Sequence, residues 1–184
     1  CIAAYLEVFE TLKARRVTAD VFYVFELFAV DAATMSEREK LRVDLIVQSS
    51  RGLIGTLIEK PQAWVNITYR LSRHWRRAKM LRPLHPVMRF LHSLACAILS
   101  IDLPLTVEAG PGLVFPHLGG AVVHADTVLG SFVNIFQFST VGSNDGGRVP
   151  VIGDFVVLYS GSAVLGECRI GNHSRIGANA VVLD

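Results

Sequence analysis

Cysteine occurs only three times in 184 residues, at Cys1, Cys96 and Cys168, scattered and odd in number. That excludes a disulfide framework and a paired-cysteine zinc site, and a reducing cytoplasm is the expected setting. Long apolar runs are missing too. Residues 21–30 are too few to span a bilayer, and residues 84–101 are interrupted by Pro86, Arg89 and His92, so both windows are expected to be buried helices. Overall charge of one sign is absent, the net being +2, which argues against a nucleic-acid partner. Acidic residues are absent in a local sense as well. None falls between Glu59 and Asp102, where Lys60, Arg70, Arg73, Arg76, Arg77, Lys79, Arg82 and Arg89 are all basic. Such a run is either a solvated helix face or a surface for anionic lipid headgroups or a phosphate-bearing substrate. The chain opens on cysteine and stops at Asp184 within a repeat, so its true termini are expected to lie beyond both ends.

What is present begins with a repeat. Aliphatic residues recur every six positions at Val123, Leu129, Ile135 and Val141, then at Ile152, Leu158, Val164, Ile170, Ile176 and Val182. Four residues after most of them stands a small or β-branched residue: Thr127, Val133, Ser139, Val156, Ser162, Cys168, Ser174, Ala180. A period of six fits neither a helix nor an alternating strand. It predicts a parallel β-helix of hexapeptides, each supplying one short strand and one corner, with the aliphatic inside a narrow prism.

Residues 1–100 lack this period and read as a helical N-terminal region, with the β-helix domain over 101–184. Ser36 and Glu39 have capping-box spacing ahead of an apolar-patterned run through Leu41, Leu45 and Ile46. Trp64, Ile67, Leu71, Trp75 and Ala78 form a helical stripe, predicting an amphipathic helix over 62–80. After Pro83 and Pro86, a further helix is expected over 87–100.

Function is expected where the repeat breaks. Two extra residues lie between Phe115 and Val123, in a segment carrying His117 and then Gly119 and Gly120. Five extra residues separate Val141 from Ile152, in a polar, glycine-rich loop. His117 is the candidate for chemistry, because a neutral imidazole can take a hydroxyl proton near pH 7 when a partner steadies the imidazolium. Asp102 is a plausible partner, since an entry segment can fold back along the prism. No metal is expected: the seven-residue step from His117 to His124 does not suit a three-histidine zinc site.

Asp102-Leu103-Pro104, Gly110-Pro111-Gly112-Leu113, Pro116-His117-Leu118-Gly119-Gly120, Gln137-Phe138-Ser139-Thr140-Val141-Gly142 and the hexads of 152–184 resemble the serine acetyltransferases and their relatives in polysaccharide biosynthesis. The likeness covers residues 60–184, including both breaks. It implies a left-handed β-helix preceded by helices, acetyl-CoA as co-substrate, and association into trimers or pairs of trimers with active sites between neighbours. By position, His117 falls on the family's catalytic histidine, Asp102 on its supporting carboxylate and Arg148 on an arginine near the acceptor. Gly142, Ser160, Gly161, Arg175 and Ala178 match the coenzyme A region. Gly119 and Gly120 are candidate donors to the reacting oxygen, and Asp145 belongs to the acceptor-side loop.

Serine-specific members carry aspartate before that histidine and histidine after that arginine, where this chain has Pro116 and Val149. The resemblance therefore implies an O-acetyltransferase acting on a sugar hydroxyl of a polysaccharide precursor; the basic helices would suit a lipid-linked or nucleotide-sugar carrier at the cytoplasmic membrane face. Serine in cysteine biosynthesis is the alternative acceptor, and a non-catalytic scaffold is the alternative from another class.

Overall fold

A computed structural model of the chain describes residue 32, residues 34–48 and residues 52–183. The helix expected over residues 21–30 lies outside them, as do Cys1 and most of the first forty residues. Among the described residues four helices come first: α1 (Glu37–Gln48), α2 (Gly52–Glu59), α3 (Ala63–Arg77) and α4 (His85–Leu99), with a short 3-10 turn at Arg82–Leu84. Twelve strands of two or three residues follow: β1 (Ile101–Asp102), β2 (Glu108–Ala109), β3 (Ala121–Val123), β4 (Val128–Leu129), β5 (Asn134–Ile135), β6 (Thr140–Gly142), β7 (Val151–Ile152), β8 (Val157–Leu158), β9 (Ala163–Leu165), β10 (Arg169–Ile170), β11 (Arg175–Ile176) and β12 (Val181–Val182).

The strands form three parallel sheets, ordered β1-β3-β6-β9-β12, β2-β4-β7-β10 and β5-β8-β11. Each turn of chain gives one strand to each sheet, making the prism that the hexads predict, left-handed as the family resemblance implies. The register is the predicted one. Val123, Val141, Val164 and Val182 are successive Cα partners, as are Leu129, Ile152 and Ile170, and Ile135, Leu158 and Ile176. Uninterrupted coils thus advance by three hexads. Both breaks fall where the sequence places them, since Ile101 pairs with Ala121 and Leu129 with Ile152. The interior aliphatics from Val123 to Val164 are buried, while Ile170, Ile176 and Val182 are partly buried.

Tight corners have their own chemistry. Gly110, Gly130 and Gly153 stack coil upon coil, so close that a Cβ on Gly130 would stand 2.6 Å from the backbone of Gly153. At that spacing only glycine fits. Two residues after Gly130, Gly153 and Gly171, Phe132, Phe155 and His173 adopt positive φ of 57°, 57° and 61°. Their rings stack at 5.1 and 4.9 Å between centroids, a gain that offsets the left-handed backbone.

The helices close the open end of the prism. The first coil has no preceding coil to satisfy its backbone, and buried unpaired peptide groups are costly. Arg70 donates to the Ala109 carbonyl at 2.9 Å, and Arg73 to those of Leu105 and Val107 at 2.9 and 2.8 Å. The Tyr69 hydroxyl donates to Val107 O at 2.6 Å and the Asn66 amide to Leu113 O at 2.6 Å. Asp44 accepts the N–H groups of Gly112 and Leu113. The charges are balanced: Arg70 pairs with Asp44 at 2.9 Å and Arg73 with Glu37 at 3.0 Å, all four side chains being buried.

This cap revises three sequence expectations. Helix α3 turns Asn66, Tyr69, Arg70 and Arg73 inward, leaving Trp64 45% exposed and Ile67, Leu71, Trp75 and Ala78 half-buried. Helix α1 forms the predicted capping box, with Glu39 accepting the Ser36 N–H at 2.7 Å. Its inward face, however, is Glu37, Asp44 and Gln48, with Leu41, Leu45 and Ile46 half-buried. In both helices, hydrogen-bonding the end of the prism outweighs burying the apolar stripe. Helix α4 was expected to be buried, yet Val87, Phe90, Leu91, Leu94 and Ile98 are 42–70% exposed, and only its Met88 and His92 are buried.

Candidate active site

Asp102 ends β1, exposed, with Val122 of β3 as its Cα partner. The turn behind it is pinned by His92. The Leu103 carbonyl can only accept, so His92 Nε2 carries the proton it shares with that oxygen at 2.7 Å, and Nδ1 faces the Thr68 hydroxyl at 3.0 Å. Burial lowers the pKa of His92, against smaller upward pulls from the Leu103 carbonyl and Asp102. Burial likewise pushes the neighbouring Cys96 thiol up. In the sequence His92 stood out only as a polar interruption of an apolar window; the contact with Leu103 is a tertiary fact.

His117 lies exposed in the two-residue insertion, its ring 5.8 Å from Phe136, which in turn lies 5.3 Å from Tyr159. Gly119 and Gly120 follow at φ 109° and 60°. The Phe138 ring packs over them, and a Cβ on Gly120 would meet it at 2.6 Å. Among the described residues their two N–H groups have no acceptor, leaving a pair of backbone donors beside the imidazole. Within one chain no hydrogen bond or ion pair joins Asp102 to His117; Asp102 lies in β1, and His117 in the corner that leads into β3, the strand paired with β1.

That edge continues up the prism. Phe138 N–H donates to Gly119 O, Gly161 N–H to Gln137 O and Asn179 N–H to Ser160 O, each at 3.0 Å. Gly119 and Gly120, then Gln137 and Phe138, then Ser160 and Gly161, then Ala178 and Asn179 are therefore stacked in successive coils. With strands about 4.8 Å apart, Gly161 stands roughly 10 Å above Gly120. Arg175 opens β11 on the preceding sheet, exposed beside Val157. Gly142, Asp145 and Arg148 gather elsewhere, at the next edge. Gly142 ends β6, its carbonyl accepting the Gly166 N–H at 3.0 Å. Asp145 and Arg148 are exposed in the five-residue insertion, Arg148 paired with Glu167. The structure thus brings Gly119, Gly120, Ser160, Gly161 and Ala178 along one edge, with His117 in the corner segment just before Gly119 and Asp102 in the strand paired with β3, and sets Gly142, Asp145 and Arg148 a prism side away.

Among the described residues no cluster of three histidine, cysteine or acidic side chains could hold a metal ion, and no helix is long and apolar enough to cross a membrane.

Comparison with known proteins agrees with the fold. Residues 150–184 match the family model described as bacterial transferase hexapeptide (six repeats). The chain is 35% identical over 138 residues to the serine acetyltransferase of Helicobacter pylori strain J99, covering 73% of this chain and 78% of that one. Its fold matches Neisseria gonorrhoeae serine acetyltransferase in complex with serine (TM-score 0.67, 23% identity, 98% and 75% covered). It also matches a serine acetyltransferase in complex with CoA (TM-score 0.62, 23% identity, 88% and 67% covered). At these two identities the likeness is one of fold; the Helicobacter relative carries the family assignment. The chain belongs to the serine acetyltransferase family of hexapeptide-repeat, acetyl-CoA-dependent acetyltransferases.

Proposed function

We propose that the chain transfers acetyl directly from acetyl-CoA to an acceptor hydroxyl, with His117 as general base. The observation that supports this chemistry is the shared edge, on which an accessible imidazole, two unengaged backbone donors and the coil corners at Ser160–Gly161 and Ala178 lie in line. His117 takes the hydroxyl proton while the oxygen attacks the thioester carbonyl. Asp102 orients the ring and steadies the imidazolium, and the Gly119 and Gly120 N–H groups receive the developing oxyanion. The carbon–sulfur bond then breaks, and the proton held by His117 passes to the coenzyme A thiolate. Ser160, Gly161, Ala178 and Arg175 line the path of the cofactor. Holding both substrates in one cleft supplies the orientation term.

The acceptor we favour is L-serine. The expectation of a polysaccharide sugar finds no support in the relatives described above, which are serine acetyltransferases, whereas the alternative acceptor agrees with them. Pro116 and Val149 still withhold two polar groups from a bound amino acid, and that is the specific observation favouring a glycan as second reading. Gly142, Asp145 and Arg148, on the neighbouring edge, complete the site across a subunit boundary in a trimer.

Thiol release from acetyl-CoA, with L-serine and then with nucleotide sugars and short glycans, tests both readings. Serine-dependent release is expected; release with a glycan alone would overturn the serine reading. His117→Ala should lower turnover at least about a hundredfold. Near-normal turnover in that variant would sink the general-base mechanism.

A further inference from the structure

His117 is held by one ring. Among the described residues its exposed imidazole makes no hydrogen bond or ion pair, and the ring beside it is that of Phe136, at 5.8 Å between centroids and tilted by 55°. An exposed side chain free to turn changes rotamer within nanoseconds, whereas a general base must keep a nitrogen within hydrogen-bond reach of the hydroxyl it deprotonates. Phe136 is better fixed. It follows Ile135, fully buried in the prism, and its N–H donates to Leu158 O at 2.9 Å. Its ring is half-buried and backed by that of Tyr159, at 5.3 Å and tilted by 39°. Ile135 pairs with Leu158 and Leu158 with Ile176, so Phe136, Tyr159 and Gly177 hold one position in successive coils. Three rings thus climb the prism from His117 and end at Gly177, where an added Cβ would meet nothing within 4 Å. Tyr159 contributes its ring alone, since its hydroxyl makes no hydrogen bond among the described residues. The repeat does not require this bulk: the residue after the interior aliphatic is glycine at Gly130, Gly142, Gly153, Gly171 and Gly177.

We propose that Phe136, backed by Tyr159, is a positioning residue for the reaction, holding the His117 imidazole in the orientation that takes the acceptor's proton. The proposal rests on the general-base reading above and names what readies the base before substrate arrives. With no bond to Asp102 inside one chain, the ring has Phe136 as its restraint. Aromatic rings about 4.5–7 Å apart prefer tilted arrangements of this kind, and a cation within about 6 Å of a ring is drawn to it. The contact therefore restricts the neutral imidazole and strengthens as the imidazolium forms, which is when stabilisation raises turnover.

Phe136→Leu keeps apolar bulk and removes the ring, whereas Phe136→Tyr keeps the ring; at a half-buried site both should fold, checked by thermal unfolding. With the full chain, acetyl-CoA and L-serine, Phe136→Leu should lower kcat about tenfold and leave both KM values within about twofold. Phe136→Tyr should hold kcat within about twofold of wild type. A wild-type kcat in the leucine variant, or a loss that tyrosine does not rescue, overturns the proposal, and so does a loss expressed wholly in KM. Tyr159→Ala gives a second variant, at a position where the next coil carries Gly177 and needs no side chain. It should lower kcat about threefold with KM unchanged; an unchanged kcat overturns the backing by Tyr159. A further arm needs no turnover. With histidine labelled at Cε1, the NMR signal of His117, identified by its loss in His117→Ala, should move toward that of free histidine in Phe136→Leu and stay in place in Phe136→Tyr. A signal that Phe136→Leu leaves unmoved also overturns the proposal. Near-normal turnover in His117→Ala, with a signal that follows the ring at Phe136, would instead refute the general-base reading while the contact itself was upheld.

Discussion

His92 illustrates what a single residue does here. It touches no candidate substrate position, yet it ties α4 to the Leu103 carbonyl immediately after Asp102. Burial makes its folded form bind a proton less readily than the unfolded chain, with Leu103 and Asp102 only partly offsetting this. The sign follows: below the ordinary histidine value of 6.5 the unfolded chain gains a proton that the folded one resists, so stability falls as pH drops through that range. Urea unfolding at pH 7.5 and 5.5 should show the loss, and His92→Gln, which keeps a donor toward Leu103, should flatten it. An equally steep acid loss in the variant would rule out His92 as its source.

At the scale of elements, α1 and α3 act as the lid of a prism whose first coil lacks a neighbour. Their binding energy is polar: Arg70 alone joins Asp44 to the Ala109 and Gly110 carbonyls. Arg70→Met would take the countercharge from buried Asp44 and a donor from each of two carbonyls, at a cost of about 3–5 kcal/mol. Thermal or urea unfolding should register this, while Arg82→Met, on the exposed 3-10 turn, should leave stability within about 0.5 kcal/mol. Equal stability of the two variants would mean that the cap does not hold the fold together.

For the whole molecule, α4 leaves Val87, Phe90, Leu91, Leu94 and Ile98 exposed and the prism leaves Val122, Val128 and Val151 exposed, apolar side chains that a neighbouring chain would cover. The site residues divided between two edges point the same way, since one edge of each chain needs the other edge of a neighbour. Sedimentation of the full chain should give three copies or a multiple of three, and Leu94→Lys should shift the mass downward if α4 takes part. A monomer with full activity would refute assembly of the site between chains.

The repeat itself was determined by local sequence. A period of six dictates a three-sided prism, because each hexad turns one corner, and an aliphatic every sixth residue fixes the register; Val123, Val141, Val164 and Val182 stack as their spacing requires. The same count located both insertions, and with them His117 and the loop of Asp145 and Arg148. Which faces the helices bury was not legible. An apolar stripe predicts an inward face only when the surface beneath is apolar, and here it is the unpaired backbone of a first coil, a demand no window of α1 or α3 contains. For the same reason the contact of His92 with Leu103, and the division of one basic run into buried Arg70 and Arg73 and open Arg76 and Arg89, arose only in the tertiary structure. Spacing along a chain specifies repeating neighbours; what lies across from a helix depends on residues about thirty to seventy positions away, and only folding puts them there.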